Sequence, residues 1–213
     1  MLQRRMQSIA LAAALTVLPS LLTAAEDRPQ PQPIRDVTVE YSLKGAEGAT
    51  EPARPRTIKV YWAGGGAHMR VEMSDERSYV ILDRKAKLMT VVLLDQHGYV
   101  EMPYDPARPT GFTVPPGIAL TRAGTEIIVG NPCTTWLQKT DQGTTMLCIT
   151  DDGVLLHAQG RTSQRRGELE ATSVIYGPPG PATFVPPADF QKLNPPRTPD
   201  AGRGSAAGAR PPG

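Results

Sequence analysis

Aromatic side chains make up only 5% of these 213 residues, with three phenylalanines and two tryptophans, and histidine and cysteine are scarcer still, at three and two. Each shortage excludes something. His68, His97 and His157 stand far apart, each on a polar strand face or in a turn, so no metal centre is expected, since that needs clustered ligands. Ser42, Ser74, Ser78, Ser163 and Ser173 sit in no nucleophile-elbow context. No residue is placed to carry a reaction, so neither an enzyme nor a cofactor is expected. Long amphipathic helical patterns are also missing after the N-terminus, which leaves strands to build the fold.

Charge of one sign is lacking as well. The formal net charge is +2. Of the 23 Lys plus Arg, five (Arg4, Arg5, Arg197, Arg203 and Arg210) lie in the terminal segments, and of the 21 Asp plus Glu only Asp200 does, so the domain between is slightly acidic. A nucleic-acid binder needs a basic cluster on the folded part. None is present.

Met1–Ala25 has Arg4 and Arg5, an apolar run from Ile9 to Leu22 and small residues before Glu26, the pattern of a secretory signal peptide. The run is short and broken by Pro19, so a membrane anchor is not expected. A periplasmic location follows. Residues 26–33 are proline-rich and read as a flexible leader, residues 34–193 as one domain, and residues 194–213, almost all Pro, Gly, Ala and Ser with a few charges, as a disordered tail with nothing to bury.

The domain is rich in alternation. Arg35–Lys44 places Val37, Val39, Tyr41 and Leu43 on one face. Thr57–Trp62 and Ala67–Met73 follow, with Ile58, Val60 and Trp62, then Met69, Val71 and Met73, inward. Ala63–Gly66 between them reads as a hairpin turn, since consecutive glycines permit positive φ and no Lys-Ser/Thr follows as a phosphate loop would require. Ser78–Leu82, Leu88–Leu94 and Tyr99–Met102 are further strands. LMTVVLL is apolar on both faces, which fits either a central strand under a covering element or one lining an apolar groove. Pro103–Ile118 carries five prolines and cannot be regular structure. It reads as a flap or as a surface crossover.

Ala123–Leu156 is the most specified stretch. Thr125, Ile127 and Val129 alternate ahead of a bend at Gly130-Asn131-Pro132, Cys133–Lys139 pairs back onto Thr144–Thr150, and Asp152-Gly153 turns into Val154–Gln159. Asp151 and Asp152 read as turn-forming residues, with a carboxylate pair as the alternative. Glu168–Tyr176 is a last strand, and Phe184, Val185, Phe190 and Leu193 read as anchors closing one end of the sheet. In an exported protein Cys133 and Cys148 are expected to form a disulfide across the hairpin, with Leu137 opposite Thr144. About ten antiparallel strands result.

The run RAGTEIIVGNPCTTW, then CITDDGVLL, then FVPPADF resembles a family of exported Gram-negative proteins known as a domain of unknown function. That family is similar in outline to the LolA/LolB-like lipoprotein carriers. The resemblance implies a mainly β fold, a single curved antiparallel half-barrel with little helix outside the signal peptide, whose concave face cradles acyl chains. The carriers plug that face with helices, whereas no lid helix is visible here, only Pro103–Ile118. On this basis the expected function is a periplasmic, non-enzymatic binding protein for a lipid or a lipoprotein acyl chain. The expected ligand face is Val60, Trp62, Met69, Val71, Met89, Val91 and Leu93. The alternative is a structural or interaction module of the cell envelope with a filled core, meeting an envelope protein.

Overall fold

The computed structural model describes residues 28–44, 56–106, 110–115, 117–141, 143–162 and 166–194. The signal-peptide span 1–25, the Gly45–Pro55 loop and the tail beyond Asn194 lie outside the described residues.

Among the described residues, twelve strands form one open, curved sheet. In chain order they are β1 (Val37–Lys44), β2 (Arg56–Ala63), β3 (His68–Met73), β4 (Ser78–Asp83), β5 (Leu88–Leu93), β6 (Gly98–Pro103), β7 (Thr121–Ile128), β8 (Asn131–Thr140), β9 (Gly143–Ile149), β10 (Leu155–Thr162), β11 (Arg166–Tyr176) and β12 (Gln191–Lys192). Their spatial order is β12-β6-β5-β4-β3-β2-β1-β11-β10-β9-β8-β7. Two meanders are thus joined where β1 meets β11. Every pairing is antiparallel except β12 on β6, which is parallel, so the sheet is mixed, and β12 is the strand that the alternation does not mark. Gln191 and Lys192 carry no alternating apolar signal, and only tertiary contact makes them a strand. The only described helix is two 3-10 turns, Leu94–Gln96 and Pro181–Phe184.

Alternation places the core. Val37, Val39 and Tyr41 of β1 are buried beside Ile58, Val60 and Trp62 of β2 and Leu169 and Ala171 of β11. All belong to one cluster on the concave face. Full burial of such a side chain is worth about 1.5–3 kcal/mol. The hydroxyl of Tyr41, inside this cluster, donates to the Leu155 carbonyl at 2.7 Å. The turn between β2 and β3 has Gly64, Gly65 and Gly66 all at positive φ, which side-chain-bearing residues seldom adopt.

The two-sided apolar character of β5 has its cause on the opposite face. Val92 packs with Tyr79 and Ile81 in a second cluster, covered by Phe184 and Phe190 from the chain's last segment. Arg70 secures that segment, lying 3.7 Å over the Tyr79 ring and donating to the Thr183 carbonyl at 2.9 Å. The Leu193 amide donates to the Tyr99 carbonyl at 2.7 Å. Val185, expected as an anchor, is instead exposed.

Cys133 and Cys148 are joined, with Cα atoms 5.4 Å apart and both side chains buried. The register differs from the expected one. Thr135, not Cys133, stands opposite Cys148, and Lys139, not Leu137, opposite Thr144, so the bridge runs diagonally and the hairpin loop is only residues 141–142. Strand β7 also differs. It is the edge of the sheet and almost wholly exposed, with Ile127 76% accessible, and Val129 lies not in the strand but in the turn at φ 49°. Among the described residues no strand lies beyond this edge, and its alternating residues stay exposed.

Residues 28–34, expected in the main as a leader, lie as a strap over the concave face. Pro33 is fully buried, the Ile34 amide donates to the Asp152 carbonyl at 3.0 Å, and Arg28 Nη2 donates to the Ile118 carbonyl at 2.7 Å. Gly153, at φ 90°, lets the strap pass, since a Cβ there would collide with the Gln32 carbonyl.

Two stability measurements follow. Cys133→Ser removes a covalent loop closure worth about 3 kcal/mol, which lowers Tm by roughly 6–12 °C in a domain of this size; equal Tm with and without reductant would exclude the bridge. Gly153→Ala should cost about 1–3 kcal/mol and speed amide exchange at Ile34, whereas unchanged protection there would show that the strap does not depend on this crossing.

Candidate functional site

One end of the concave face is filled and the other is open. Strands β3, β4 and β5 present Met69, Val71, Met73, Val80, Leu82 and Met89 to a cleft of about 910 Å³. Alternation puts them there: Met69 pairs with Leu82, Val71 with Val80, and Leu82 with Met89, so these six apolar side chains share a face. Pro103, Tyr104, Asp105, Pro106, Thr110 and Phe112 of the proline-rich segment complete the walls, with Lys87 from the β4–β5 turn. The volume is within the range typical of small-molecule sites, about 300–1,000 Å³, and so is the mostly apolar lining.

The segment therefore crosses the concave face as a flap. Phe112 packs on Tyr41 at 5.6 Å between ring centroids, Val114 donates its amide to the Pro31 carbonyl at 2.9 Å, and Thr110 Oγ1 approaches Met69 Sδ at 4.0 Å. Strap and flap hold each other, and together they close the β1 side. Residues 107–109 and 116 lie outside the described residues.

Of the expected ligand face, Met69, Val71 and Met89 line the cleft. Val60 and Trp62 lie instead in the filled core, both fully buried. Val91 and Leu93 are half-buried on β5, on the same face but outside the cleft wall. Sequence reasoning missed Val80, Leu82, Tyr104, Phe112 and Lys87. Val80 and Leu82 were within reach of the alternation rule. The aromatics of the flap were marked only by being apolar in a proline-rich stretch.

Groups with possible chemistry are used structurally. Asp152 accepts from the Thr150 hydroxyl and from the Tyr176 hydroxyl at 3.2 Å, and Arg35, stacked 4.3 Å over the Tyr176 ring, lies 3.6 Å from its other oxygen. Asp151 is exposed. His68 lies 3.9 Å from Asp83, His97 packs on Phe190, and His157 lies 3.5 Å from Glu168. Among the described residues, no group of three metal-ligating side chains comes together. No described helix is long and apolar enough to cross a membrane.

Burial pushes the Tyr41 hydroxyl well above its ordinary pKa of 10, and burial also raises Tyr61, Tyr79 and Tyr176. A raised folded-state value means that the unfolded chain ionises first. Stability is therefore full below about pH 10 and is lost as pH rises beyond it. Alkaline titration of Tm should show that decline, and Tyr41→Phe should make it shallower while costing about 1–3 kcal/mol near neutrality for the unmet Leu155 carbonyl; an equally steep decline in the variant would remove Tyr41 from the account.

Comparison with known proteins concerns fold. No family model matches the chain, and no curated protein matches it in sequence. Among solved structures, an uncharacterized conserved protein from Thermus thermophilus superposes with a TM-score of 0.51 at 12% identity, over 74% of this chain and 90% of that one. A chain of the Pseudomonas aeruginosa MucA/MucB complex gives 0.50 at 14% identity, over 75% of this chain and 58% of that one. A LolA superfamily protein from Nitrosomonas europaea gives 0.40 at 8% identity, over 72% and 91%. The single curved, mainly β sheet expected from the sequence is the observed fold, with the one difference that it is mixed rather than wholly antiparallel.

Proposed function

We propose that this chain is a non-enzymatic binding protein of the cell envelope that takes an apolar ligand, a lipid or the acyl chain of a lipoprotein, into the β3–β5 cleft. The observation that carries this is the cleft itself. Six aliphatic or thioether side chains face an open volume of about 910 Å³ while the other end of the same sheet face is packed solid. The part of that wall left accessible to water, Val71, Met73, Val80 and Met89 above the buried Met69 and Leu82, costs about 25 cal/mol per Å² relative to being covered. A chain able to fill the β1 side with Tyr41, Trp62 and Phe112 had the means to fill this one too. Thioethers suit the role, because Met69, Met73 and Met89 can repack around tails of differing shape. The signal-like N-terminus supports export to the periplasm.

Native mass spectrometry of protein recovered from the periplasm, with extraction of any lipid carried along, tests this. A stoichiometric lipid supports the reading, and its release by Val71→Phe, which fills the cleft, ties it to the site. A clean apo mass that stays unchanged when acyl probes are added would overturn it.

One observation favours a second reading, an interaction module meeting another envelope protein. Strand β7 leaves one side unpaired and carries exposed Ile127, and a chain of a two-protein complex shares the fold. Open edges accept a further strand. Under that reading the apo mass is expected, and Ile127→Lys abolishes association while leaving stability within about 0.5 kcal/mol of wild type.

A further inference from the structure

The apolar cleft has one polar end, which brings together a cation, a hydroxyl and a carboxylate. The β4–β5 turn brings Lys87 to the wall, and the flap begins beside it, since the Tyr104 amide donates to the Lys87 carbonyl at 2.8 Å. Tyr104 lines the same cleft, and its hydroxyl is buried without a hydrogen-bond partner. A buried hydroxyl left unmet has lost its water without gaining a partner, which is unfavourable. It is a group waiting for an acceptor. Lys87 sits at φ 53°, an uncommon conformation for a residue with a side chain. Its ammonium is in no ion pair among the described residues, while Asp105 on the same rim is itself already engaged. Arg84, in the same turn, adds positive charge nearby but lies 5.7 Å over the buried Trp62 ring and does not line the cleft. A neutral tail would satisfy none of these groups.

From these groups we infer that the ligand of the cleft is an amphiphile with an anionic head, a carboxylate or a phosphate, held by the Lys87 ammonium and the Tyr104 hydroxyl while its tail lies along Val71, Val80 and Met89. This rests on the binding function proposed above and narrows it from apolar ligands in general to acidic ones. The hydroxyl donates one hydrogen bond, the ammonium supplies charge and further donors, and an anionic oxygen accepts both. Charge-assisted bonds of this kind are about twice as strong as neutral ones. The rim position of Lys87 leaves the head near solvent, so a charged group need not be fully desolvated to bind.

The test uses the mature protein and three probes of equal tail length, hexadecanoate, 1-hexadecyl phosphate and neutral 1-hexadecanol, with affinities from calorimetry below their micelle concentrations. Both anions should bind at least about tenfold more tightly than the alcohol, the scale of a hydrogen bond to a charged group. Lys87→Gln should remove most of that advantage and leave the alcohol unchanged. Lys87→Arg should restore it, and Tyr104→Phe should weaken the anions by a few-fold while leaving the Tm of the unliganded protein no lower, since it removes an unmet hydroxyl. The ratio of the two anions shows whether the head is carboxylate or phosphate. If all three probes bind equally and Lys87→Gln alters none of them, the anionic-head assignment is wrong while the apolar cleft stands. If none binds, both readings fail together.

Discussion

A sheet that is apolar on one face must have that face covered, and most of this architecture answers that requirement. β-Proteins of this size usually meet it with a second sheet, with closure into a barrel or with helices. This chain has none of those among its described residues. The concave face is covered by irregular, proline-rich segments from the two ends of the first meander, the strap at residues 28–34 and the flap that follows Pro103. Proline suits such covers, because a segment without regular hydrogen bonding loses little by lacking amide donors and gains from reduced freedom in the unfolded state.

What could be read from the sequence follows the same division. Where a strand has neighbours on both sides and one covered face, its residues alternate, and the alternation of Val37, Val39 and Tyr41, or of Ile58, Val60 and Trp62, names the core correctly. Where a strand is an edge the pattern misleads. Thr125, Ile127 and Val129 alternate as well, but among the described residues nothing covers β7 and they stay exposed. The disulfide pair was legible from compartment and count, and the register was not, because a diagonal bridge and a directly opposed one differ by a shift that keeps every side chain on its own face. The strap and the parallel β12 left no local signal, since both are held by contacts with distant residues.

The candidate site shows the limit more sharply. All seven residues expected to face a ligand were chosen by alternation on β2, β3 and β5, and alternation identifies the face without saying which part of it is filled. Trp62 shares the face expected to meet a ligand, yet it lies in the filled core, on a strand flanked by β1 and β3, and is completely buried. The boundary between core and cleft is set by where the flap crosses, by Phe112 meeting Tyr41, and a contact between residues so far apart in sequence leaves no periodic trace.

That crossing also governs access. Near its middle the flap is tied to the strap through the Val114 amide, and at its far end through Arg28 and the Ile118 carbonyl, so a cover that forms one wall of the cleft is anchored to another irregular segment. Elements held by few buried contacts open at lower free energy than the sheet beneath them. The strap is in turn fixed at the β9–β10 turn, by Asp152 and by the space that Gly153 leaves free. Asp152 has its own partners in Thr150, Tyr176 and Arg35, so the polar network at that turn positions the strap, the strap positions the flap, and the flap sets the width of the cleft. An acidic turn residue with no place in any reaction thereby influences how a tail would enter, through a chain of contacts in which each member fixes the next.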